Sequence, residues 1–302
     1  MAKRTNWLHP RHWPTWLGLG FLRVSALMPL PLSWLLGSVF GQVLYYLHGP
    51  RRRVALRNIV ACFPELDARA QRRLSRRHFR ALGAASLTFG IGWWASDARL
   101  RRLTCYRHRE YLERALAAKR PVILLAPHFI GLEMGGMRIA LEYPMVSMYK
   151  RAKNPLFDRF MRRGRERYGL VMVERNAELR PMIRLLRAGR PFYYLPDQDP
   201  GRRGSVFAPF FNIPAATVTA LSRIAQLAGA VVIPCFTRQL PYGQGYEVIF
   251  KSPLEGFPSG DALLDATRMN QAIEEGVRAM PEQYFWVHKR FKTRPDNELR
   301  FY

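Results

Sequence analysis

A short apolar run that ends on a histidine constrains this chain more than any other stretch. Residues 122–126 are apolar and rich in branched side chains, and Pro127 stops the run directly before His128. A run this short predicts a buried parallel strand. The histidine then lies at the carboxyl end of that strand, where open α/β sheets bind their ligands. We expect a helix to begin close behind it, near Gly131.

Glu133 follows this histidine by five positions. Along a continuous helix the two side chains would diverge, but with His128 on the turn and Glu133 in the first helical turn they can meet. The carboxylate could then accept one imidazole N–H and leave the other nitrogen free as a general base. The residues alone leave a second interpretation open, in which a strand-end histidine lies near an unrelated surface glutamate.

Short apolar runs and helical stretches alternate through most of the remaining chain. The predicted strands are residues 122–126, 143–149, 170–173, 191–195, 230–236 and 247–250, and the predicted helices are residues 110–118, 156–168, 179–188, 217–227 and 261–280. This alternation predicts an α/β fold, with a mostly parallel sheet flanked by helices. A loop is expected at residues 196–211, where turn formers and aromatic residues are mixed.

The charge of the chain points to an anionic partner. With 48 Lys and Arg against 22 Asp and Glu, the net charge is +26. Nucleic acid, an anionic membrane surface, an anionic lipid or an acidic carrier protein would each be attracted to such a surface. Three scattered cysteines, Cys62, Cys105 and Cys235, predict reduced buried thiols in a cytoplasm-facing protein and neither disulfides nor a zinc site.

The amino-terminal segment favours a membrane among these partners. Residues 24–47 carry no formal charge over 24 positions, which is long enough to span a bilayer. Pro29, Pro31 and several glycines weaken such a helix, so a kinked helix lying at the interface is the rival. The basic residues that follow from Arg51 favour a cytoplasmic body. We therefore divide the chain into two parts. Residues 1–50 form a membrane anchor, which is either a transmembrane helix or an inserted one, and residues 51–302 form a domain.

Familiar catalytic motifs are missing from the sequence. It has no phosphate-binding loop, no G-x-S-x-G nucleophile elbow and no compact metal-ligand spacing, so no metal or cofactor is predicted. A histidine base without a protein nucleophile fits direct transfer, in which the base deprotonates an acceptor hydroxyl that attacks an activated acyl group. Lys150, Arg151 or backbone N–H groups at the helix start are candidate donors to the oxyanion.

Several sequence blocks match one family in the same order. They are residues 13–20, Arg57-Asn58 with residues 62–65, His128 with Glu133, the block from Tyr149 to Phe157, and the stretch from Pro196 through Asp199 to Phe211. With these blocks the chain resembles the bacterial lipid A biosynthesis acyltransferases, a branch of the lysophospholipid acyltransferase superfamily. The resemblance covers nearly the whole chain and implies a glycerol-phosphate acyltransferase-like fold.

The resemblance also implies an activity and a site. A fatty acyl chain would pass from acyl carrier protein to a hydroxyl of a lipid A precursor, an anionic glycolipid, at the cytoplasmic face of the inner membrane. His128 would be the base and Glu133 its partner. The acceptor-binding block would contain Lys150, Arg151 and Asn154, with Lys150 standing where the family commonly has arginine. Asp199, Gly204 and Ser205 would shape the site, Asp199 as a structural or positioning residue.

Other functions remain to be weighed against this one. Within the same chemistry, the acceptor could be another lipid, such as a lysophospholipid or an amino-acid lipid, and the donor could be acyl-CoA. In a different class, the charge would also suit a membrane-tethered nucleic-acid-binding protein. We expect no nucleic acid as partner, because the arginine-rich helices are poor in aromatic residues and no recognised nucleic-acid module is present. Intact His128 and Glu133 argue against an inactive lipid-binding scaffold.

Overall fold

A computed structural model describes residues 7–175, 178–296 and 298–302 of the chain. In this part of the chain the helices are α1 (Trp13–Ser25), α2 (Leu30–Leu47), α3 (Gly49–Cys62), α4 (Ala68–Trp94), α5 (Asp97–Leu103), α6 (Glu110–Ala117), α7 (Leu132–Ala140), α8 (Pro155–Glu166), α9 (Leu179–Arg187), α10 (Ala220–Ala228) and α11 (Ala262–Ala279). Short 3-10 turns lie at Pro10–His12, Pro241–Gly243 and Pro281–Gln283.

The strands form one large sheet and one hairpin. They are β1 (Thr104–Arg107), β2 (Val122–Leu125), β3 (Val146–Tyr149), β4 (Val171–Glu174), β5 (Phe192–Tyr194), β6 (Ser205–Phe210), β7 (Ile213–Val218), β8 (Val231–Gln239) and β9 (Tyr246–Phe250). The large sheet has seven strands in the order β1-β9-β8-β2-β5-β3-β4, and β6 pairs with β7 in the separate hairpin. This α/β architecture confirms the predicted mostly parallel sheet flanked by helices.

Strand β2 lies in the middle of the sheet, with β8 on one side and β5 on the other. Both pairings are parallel, so the carboxyl ends of the three strands share one edge. All four residues of β2 are buried, as its uniformly apolar sequence predicts. The pairing of β8 with β9 is antiparallel, which the sequence did not predict.

Two sequence predictions fail beyond β5. The loop expected at residues 196–211 contains strand β6, which pairs along its full length with β7. The helix predicted to begin at Thr217 begins at Ala220, because residues 217 and 218 still belong to β7. It ends as predicted on Gly229, whose φ of 65° is the left-handed conformation that glycine adopts most easily.

The uncharged run at residues 24–47 is interrupted. Helix α1 ends at Ser25, and α2 begins at Leu30 with Pro29 at its N-cap and Pro31 in its first turn. Proline is tolerated at these positions because its missing N–H would have no helical partner there. In the described residues one helix, Leu30–Leu47, is long and apolar enough to cross a membrane by length and composition alone.

Helix α4 connects the amino-terminal helices to the sheet domain. It is 27 residues long and begins at Ala68, directly after Asp67, whose side chain caps the helix by accepting a hydrogen bond from the N–H of Ala70. Its glycines Gly83 and Gly90 approach the backbones of α2 and α1 respectively. Other α4 residues line the cavity described below, so this one helix lies between the amino-terminal helices and the site.

Candidate active site

His128 lies three residues beyond the end of the central strand β2. The N–H of Ala126 still donates to the carbonyl of Tyr194 on β5, at 2.8 Å, so the turn starts from the sheet edge. The His128 carbonyl accepts a hydrogen bond from the N–H of Phe285, at 3.0 Å. The histidine backbone is therefore fixed on both sides, by the sheet and by the carboxy-terminal segment.

Asp197 lies at the equivalent position on the neighbouring strand. Leu125 of β2 is in register with Tyr194 of β5, and His128 and Asp197 each follow by three residues. The Asp197 carboxylate accepts a hydrogen bond from the imidazole Nδ1 of His128 at 2.6 Å and another from its backbone N–H at 2.9 Å. The two contacts together fix both the position and the orientation of the ring.

This pairing defines the protonation of the imidazole. Nδ1 carries the hydrogen that Asp197 accepts, which leaves Nε2 with a free lone pair. Within the described part of the chain, Nε2 has no hydrogen-bond partner. Burial acts to raise the pKa of the Asp197 carboxyl, which is 2% exposed, but the charge and hydrogen bonds of His128 and the charge of Arg290 outweigh it and hold that pKa below its ordinary value. Asp197 is thus a carboxylate that favours a proton on Nδ1.

Glu133 has other partners than the one predicted. Its carboxylate accepts a hydrogen bond from the Trp93 indole N–H at 2.7 Å and forms an ion pair with Arg165, also at 2.7 Å. No hydrogen bond joins Glu133 to His128 among the described contacts, so the predicted pairing is wrong. Asp197 accepts the imidazole N–H instead. The reason is geometric: Glu133 lies in the first turn of α7, facing α4 and α8, whereas Asp197 extends from the adjacent strand.

The ion pair of Glu133 orders Arg165, which lines the same cavity as His128. Burial acts to lower the pKa of the Arg165 guanidinium, but the charge and hydrogen bonds of Glu133 outweigh it, so that pKa is raised. Both nitrogens of the guanidinium that face Glu133 donate to its carboxylate. Such a two-pronged contact fixes the orientation of arginine as well as its charge. Sequence reasoning missed Arg165, because the basic block contains several arginines at similar spacing.

A cavity of about 470 Å³ connects these groups. His128, Glu133 and Arg165 all line it, together with residues of α4, α7, α8, β3 and β5. Much of the remaining wall is apolar and includes Met137, Met145 and Leu170. A deep apolar space with a few convergent polar groups is the usual form of a small-molecule site. Here it would suit a flexible hydrocarbon chain whose reacting end lies near the polar groups.

The three residues of the predicted acceptor-binding block lie in different surroundings in the structure. Lys150 lines the cavity. Arg151 is exposed and pairs with Glu174 on the surface at 2.5 Å. Asn154 caps α8, accepting from two backbone N–H groups, and its amide donates to the hydroxyl of Thr15 on α1 at 2.7 Å. Of these three residues, Lys150 is the one placed at the cavity wall.

The predicted loop residues have local partners. The Asp199 carboxylate accepts hydrogen bonds from the backbone N–H groups of Gly201 and Thr293, at 2.9 and 2.7 Å. Gly204 has a φ of 70°, which favours glycine, and the hydroxyl of Ser205 donates to the Gly201 carbonyl at 2.7 Å. These contacts hold the loop that leads from Asp197 to β6, which agrees with a structural role for Asp199.

Residues 284–291 pack against the turn that carries His128. Tyr284 forms a β-bridge with Phe129, next to His128. The imidazole Nε2 of His288 accepts the N–H of Asp199 at 3.1 Å, and burial lowers the pKa of that histidine. Arg290 is 2% exposed and donates to the Ala216 carbonyl at 2.7 Å. This mostly buried segment thus supports the His128–Asp197 pair.

Metal ligands and disulfides were not predicted. Residues 7–175, 178–296 and 298–302 contain no group of three or more His, Cys, Asp or Glu side chains that could hold a metal ion. The three cysteines are free. Cys62 and Cys235 are buried, and burial raises the pKa of both thiols. The prediction of a buried thiol is wrong for Cys105, which is exposed because it lies on the edge strand β1.

The fold and the site define the class of the protein as an α/β protein with a His–Asp pair beside a largely apolar cavity. The family model for bacterial lipid A biosynthesis acyltransferases matches residues 1–293. The chain is 36% identical to the lipid A biosynthesis lauroyltransferase of Escherichia coli (strain K12), over 97% of this chain and 95% of that protein. It is 36% identical to the palmitoleoyltransferase of the same strain, over 98% and 97%, and 29% identical to the myristoyltransferase, over 97% and 91%.

The protein therefore belongs to the bacterial lipid A biosynthesis acyltransferase family and is an acyltransferase. The family resemblance found in the sequence is confirmed.

Proposed function

We propose that this protein transfers a fatty acyl chain from an acyl carrier protein thioester to a hydroxyl of a lipid A precursor, with His128 as the general base. One observation carries the proposal: His128 lines an apolar cavity of about 470 Å³, while its Nδ1 is held by the buried Asp197. A base of fixed tautomer beside an apolar cavity provides for both halves of the reaction, the acceptor hydroxyl and the acyl chain.

The reaction follows from the free lone pair on Nε2. Nε2 of His128 removes the proton from the acceptor hydroxyl as its oxygen attacks the thioester carbonyl carbon. The tetrahedral intermediate then collapses, the new C–O ester bond remains and the C–S bond breaks. The departing thiolate takes the proton from the imidazolium. Asp197 stabilises the positive ring between these steps and keeps its orientation.

Positive groups on the cavity wall supply the charge that the transition state needs. Lys150, Arg165 and Arg175 all line the cavity. We assign Arg165 and Lys150 to the oxyanion and to the anionic acceptor, because Glu133 already orders Arg165. Arg151 and Asn154 would position this block from outside, through Glu174 and α1.

Glu133 is a positioning residue in this proposal and not the partner of the histidine. Its carboxylate is 7% exposed and faces Arg165 and Trp93. We assign it to holding Arg165 in the cavity wall, while Asp197 orients the imidazole. Asp199, Gly204 and Ser205 would shape the loop that carries Asp197.

The charge and the surface of the protein support the proposed donor and location. A net charge of +26 would attract an acidic carrier protein and an anionic lipid surface. The exposed apolar side chains of α1 and α2 would place the protein at the inner membrane. The catalytic domain would lie on the cytoplasmic side, where carrier-protein thioesters are made.

Substitution of the base tests the proposal. With purified protein, acyl carrier protein thioesters of several lengths and a lipid A precursor, mass spectrometry follows the acylated product. We expect His128→Ala to lower the rate of transfer by about 10²–10⁴-fold. The matched control is His108→Ala, an exposed histidine on the loop before α6, which should keep the wild-type rate. Undiminished transfer by His128→Ala would contradict the assignment of His128 as the base. If a lysophospholipid offered in the same assay were acylated and the lipid A precursor were not, the proposed acceptor would be wrong.

A further inference from the structure

Helices α1 and α2 and the turn between them expose many large apolar side chains, here called the α1–α2 face. Its exposed members are Trp13, Leu17, Phe21, Val24, Leu27, Leu32, Leu35, Leu36, Val39, Phe40, Val43 and Leu47. They recur every three or four residues, as one face of a helix does. Soluble proteins rarely expose an apolar surface of this extent, so the face requires an apolar partner.

The opposite side of α2 is bound to α4 by backbone contact. A Cβ atom on Gly41 would lie 2.0 Å from the Phe79 carbonyl oxygen, and one on Gly83 would lie 2.2 Å from the Gly37 carbonyl oxygen. The start of α2 is held as well, because a Cβ on Gly243 would lie 2.5 Å from the Cα of Pro31. Helix α2 therefore lies along the folded domain and does not project from it.

The chain before α2 is bound to the same domain. Thr15 of α1 accepts a hydrogen bond from Asn154 at 2.7 Å, and the Trp16 ring meets Phe160 of α8 edge-on, with centroids 5.4 Å apart. The connection between α1 and α2 is fixed by Arg99, which donates to the carbonyls of Ala26 and Met28. Helix α1 and its connection thus contact α8 and α5, both of which belong to the catalytic domain.

The chain after α2 returns to that domain at once. Asn58 of α3 donates to the carbonyls of Trp286 and His288, each at 2.8 Å. Segments on both sides of α2 are therefore attached to one folded body. A helix that crosses a bilayer must leave its two flanking segments on opposite faces, which these contacts do not allow.

The charges beside α2 lead to the same result. Arg76 of α4 stacks over Tyr45 and Tyr46 of α2, at 5.7 and 6.0 Å from the ring centroids. Arg80 adjoins Gly41, six residues before the end of α2 at Leu47. The 18 residues of α2 extend about 27 Å, so a spanning α2 would place the backbone of Arg80 about 9 Å inside the end of the helix, in the hydrocarbon core.

We propose that the α1–α2 face inserts in the plane of a single leaflet of an anionic bilayer, so that the protein is attached to one side of the membrane and no helix of residues 7–62 crosses it. Arg23, Arg51 and Arg53 are exposed beside the face and would contact the lipid phosphates. The inference rests on the proposed function for the identity of the membrane. The direction of insertion follows from the contacts of α1, α2 and α3 alone.

Vesicle binding tests whether the α1–α2 face binds the membrane. The purified full-length protein is floated with vesicles that contain phosphatidylglycerol. We expect Leu36→Asp to lower the bound-to-free ratio by at least about tenfold, because it places a charge among inserted side chains. The matched control is Leu263→Asp on α11, since the two leucines are 46% and 50% exposed. Equal flotation of both variants, or failure of the unchanged protein to bind, would overturn the proposal.

Thiol labelling in sealed membranes tests whether α2 crosses. Cysteines replace His9 and Val60, two exposed residues on opposite sides of α2 in the chain, in a Cys105→Ser background that removes the exposed native thiol. A membrane-impermeant maleimide is applied to spheroplasts and to inverted vesicles. We expect both positions to react only from the face that carries the catalytic domain. Labelling of the two positions from opposite faces would overturn the proposal.

The two proposals can fail separately. Opposite-face labelling of a variant that still transfers acyl chains would overturn the inserted arrangement and leave the proposed function intact. Same-face labelling together with full transfer by His128→Ala would overturn the proposed function and leave the inserted arrangement intact. Retained acyl transfer by each cysteine variant shows that it is folded.

Discussion

At the scale of single residues, the Asp197 carboxylate does two things that no other described group does for His128. It accepts the hydrogen of Nδ1, and it accepts the backbone N–H of the same residue. A rotation of the imidazole would break the first contact while the second still held the loop. The tautomer and the position of the base are therefore controlled by one side chain that is almost completely buried.

Replacement of Asp197 by asparagine should separate these two tasks. The amide oxygen can still accept the backbone N–H of His128, but the amide nitrogen would donate to Nδ1 and move the ring hydrogen to Nε2. We expect kcat for acyl transfer to fall by about 10²–10⁴-fold with little change in KM for the acyl donor.

The matched control is Asp261→Asn, because Asp261 caps α11 and asparagine caps helices equally well. Steady-state kinetics across pH measures both variants. A variant of Asp197 with normal kcat and an unchanged pH profile would show that the imidazole does not need this carboxylate.

His78 provides a pH dependence that is independent of catalysis. It is fully buried in α4, and burial lowers its pKa from 6.5 to about 4, although its hydrogen bond to the Glu282 carbonyl at 3.0 Å opposes that shift. Because the unfolded chain takes up this proton first, stability is complete above about pH 6.5 and declines as the pH falls towards 4. Lowering the pKa of His78 to about 4 corresponds to a loss of about 3 kcal/mol in the free energy of unfolding.

Denaturant unfolding at several pH values in this window measures the slope for the unchanged protein and for His78→Asn. The asparagine amide can keep the hydrogen bond but does not titrate, so the loss should shrink by about that amount. The exposed His108 gives the matched control, His108→Asn, which should keep the wild-type slope. Identical slopes for wild type and His78→Asn would contradict the assignment.

At the scale of helices and strands, the contact between α2 and α4 depends on the absence of side chains. A Cβ on Gly41 would collide with the backbone of Phe79, which cannot turn away as a side chain can. We expect Gly41→Ala to lower the free energy of unfolding by about 1–3 kcal/mol.

Gly20→Ala on α1 is the matched control, because nothing lies within 4 Å of the added Cβ. That variant should be neutral or slightly stabilising, since alanine favours helices. Thermal unfolding in detergent compares the two. Equal stability of both variants would show that α2 is not closely packed on α4.

Local patterns in the sequence predicted most of the elements. The strand at residues 122–125 and the capped helices α8 and α11 follow from branched apolar runs and from Asn154 and Asp261. The hairpin of β6 and β7 was missed because each strand is defined by pairing with the other and includes Pro209 and Pro214, which usually mark loops. The division of residues 24–47 into two helices could have been predicted from Pro29 and Pro31.

The carboxylate partner of His128 could not be predicted from local spacing. Glu133 is near in sequence, whereas Asp197 is 69 residues away and becomes a neighbour only through the pairing of β2 with β5. One signal was nevertheless present: each strand is followed by proline and then by a polar residue, in Pro127-His128 and in Pro196-Asp197. Two parallel strands with matching ends predict that those polar residues meet.

At the scale of the whole molecule, helix α4 separates the apolar outer face from the reaction cavity. Gly83 and Gly90 face α2 and α1, while Leu82, Ala85 and Phe89 line the cavity. The inserted helices that we propose would thus lie one helix diameter, about 10–12 Å, from the space for the acyl chain. A lipid acceptor would need only to rise slightly from its leaflet to reach His128.

The carboxy-terminal segment has a consequence for how the enzyme is made. The N–H of Phe285 donates to the carbonyl of His128, and the charge of Arg290 helps His128 to hold the pKa of Asp197 below its ordinary value, yet both residues follow β9, the last strand of the large sheet in the chain. During translation the sheet and its cavity can form while these residues are still inside the ribosome. The sheet and its cavity would therefore form before the base is in working order.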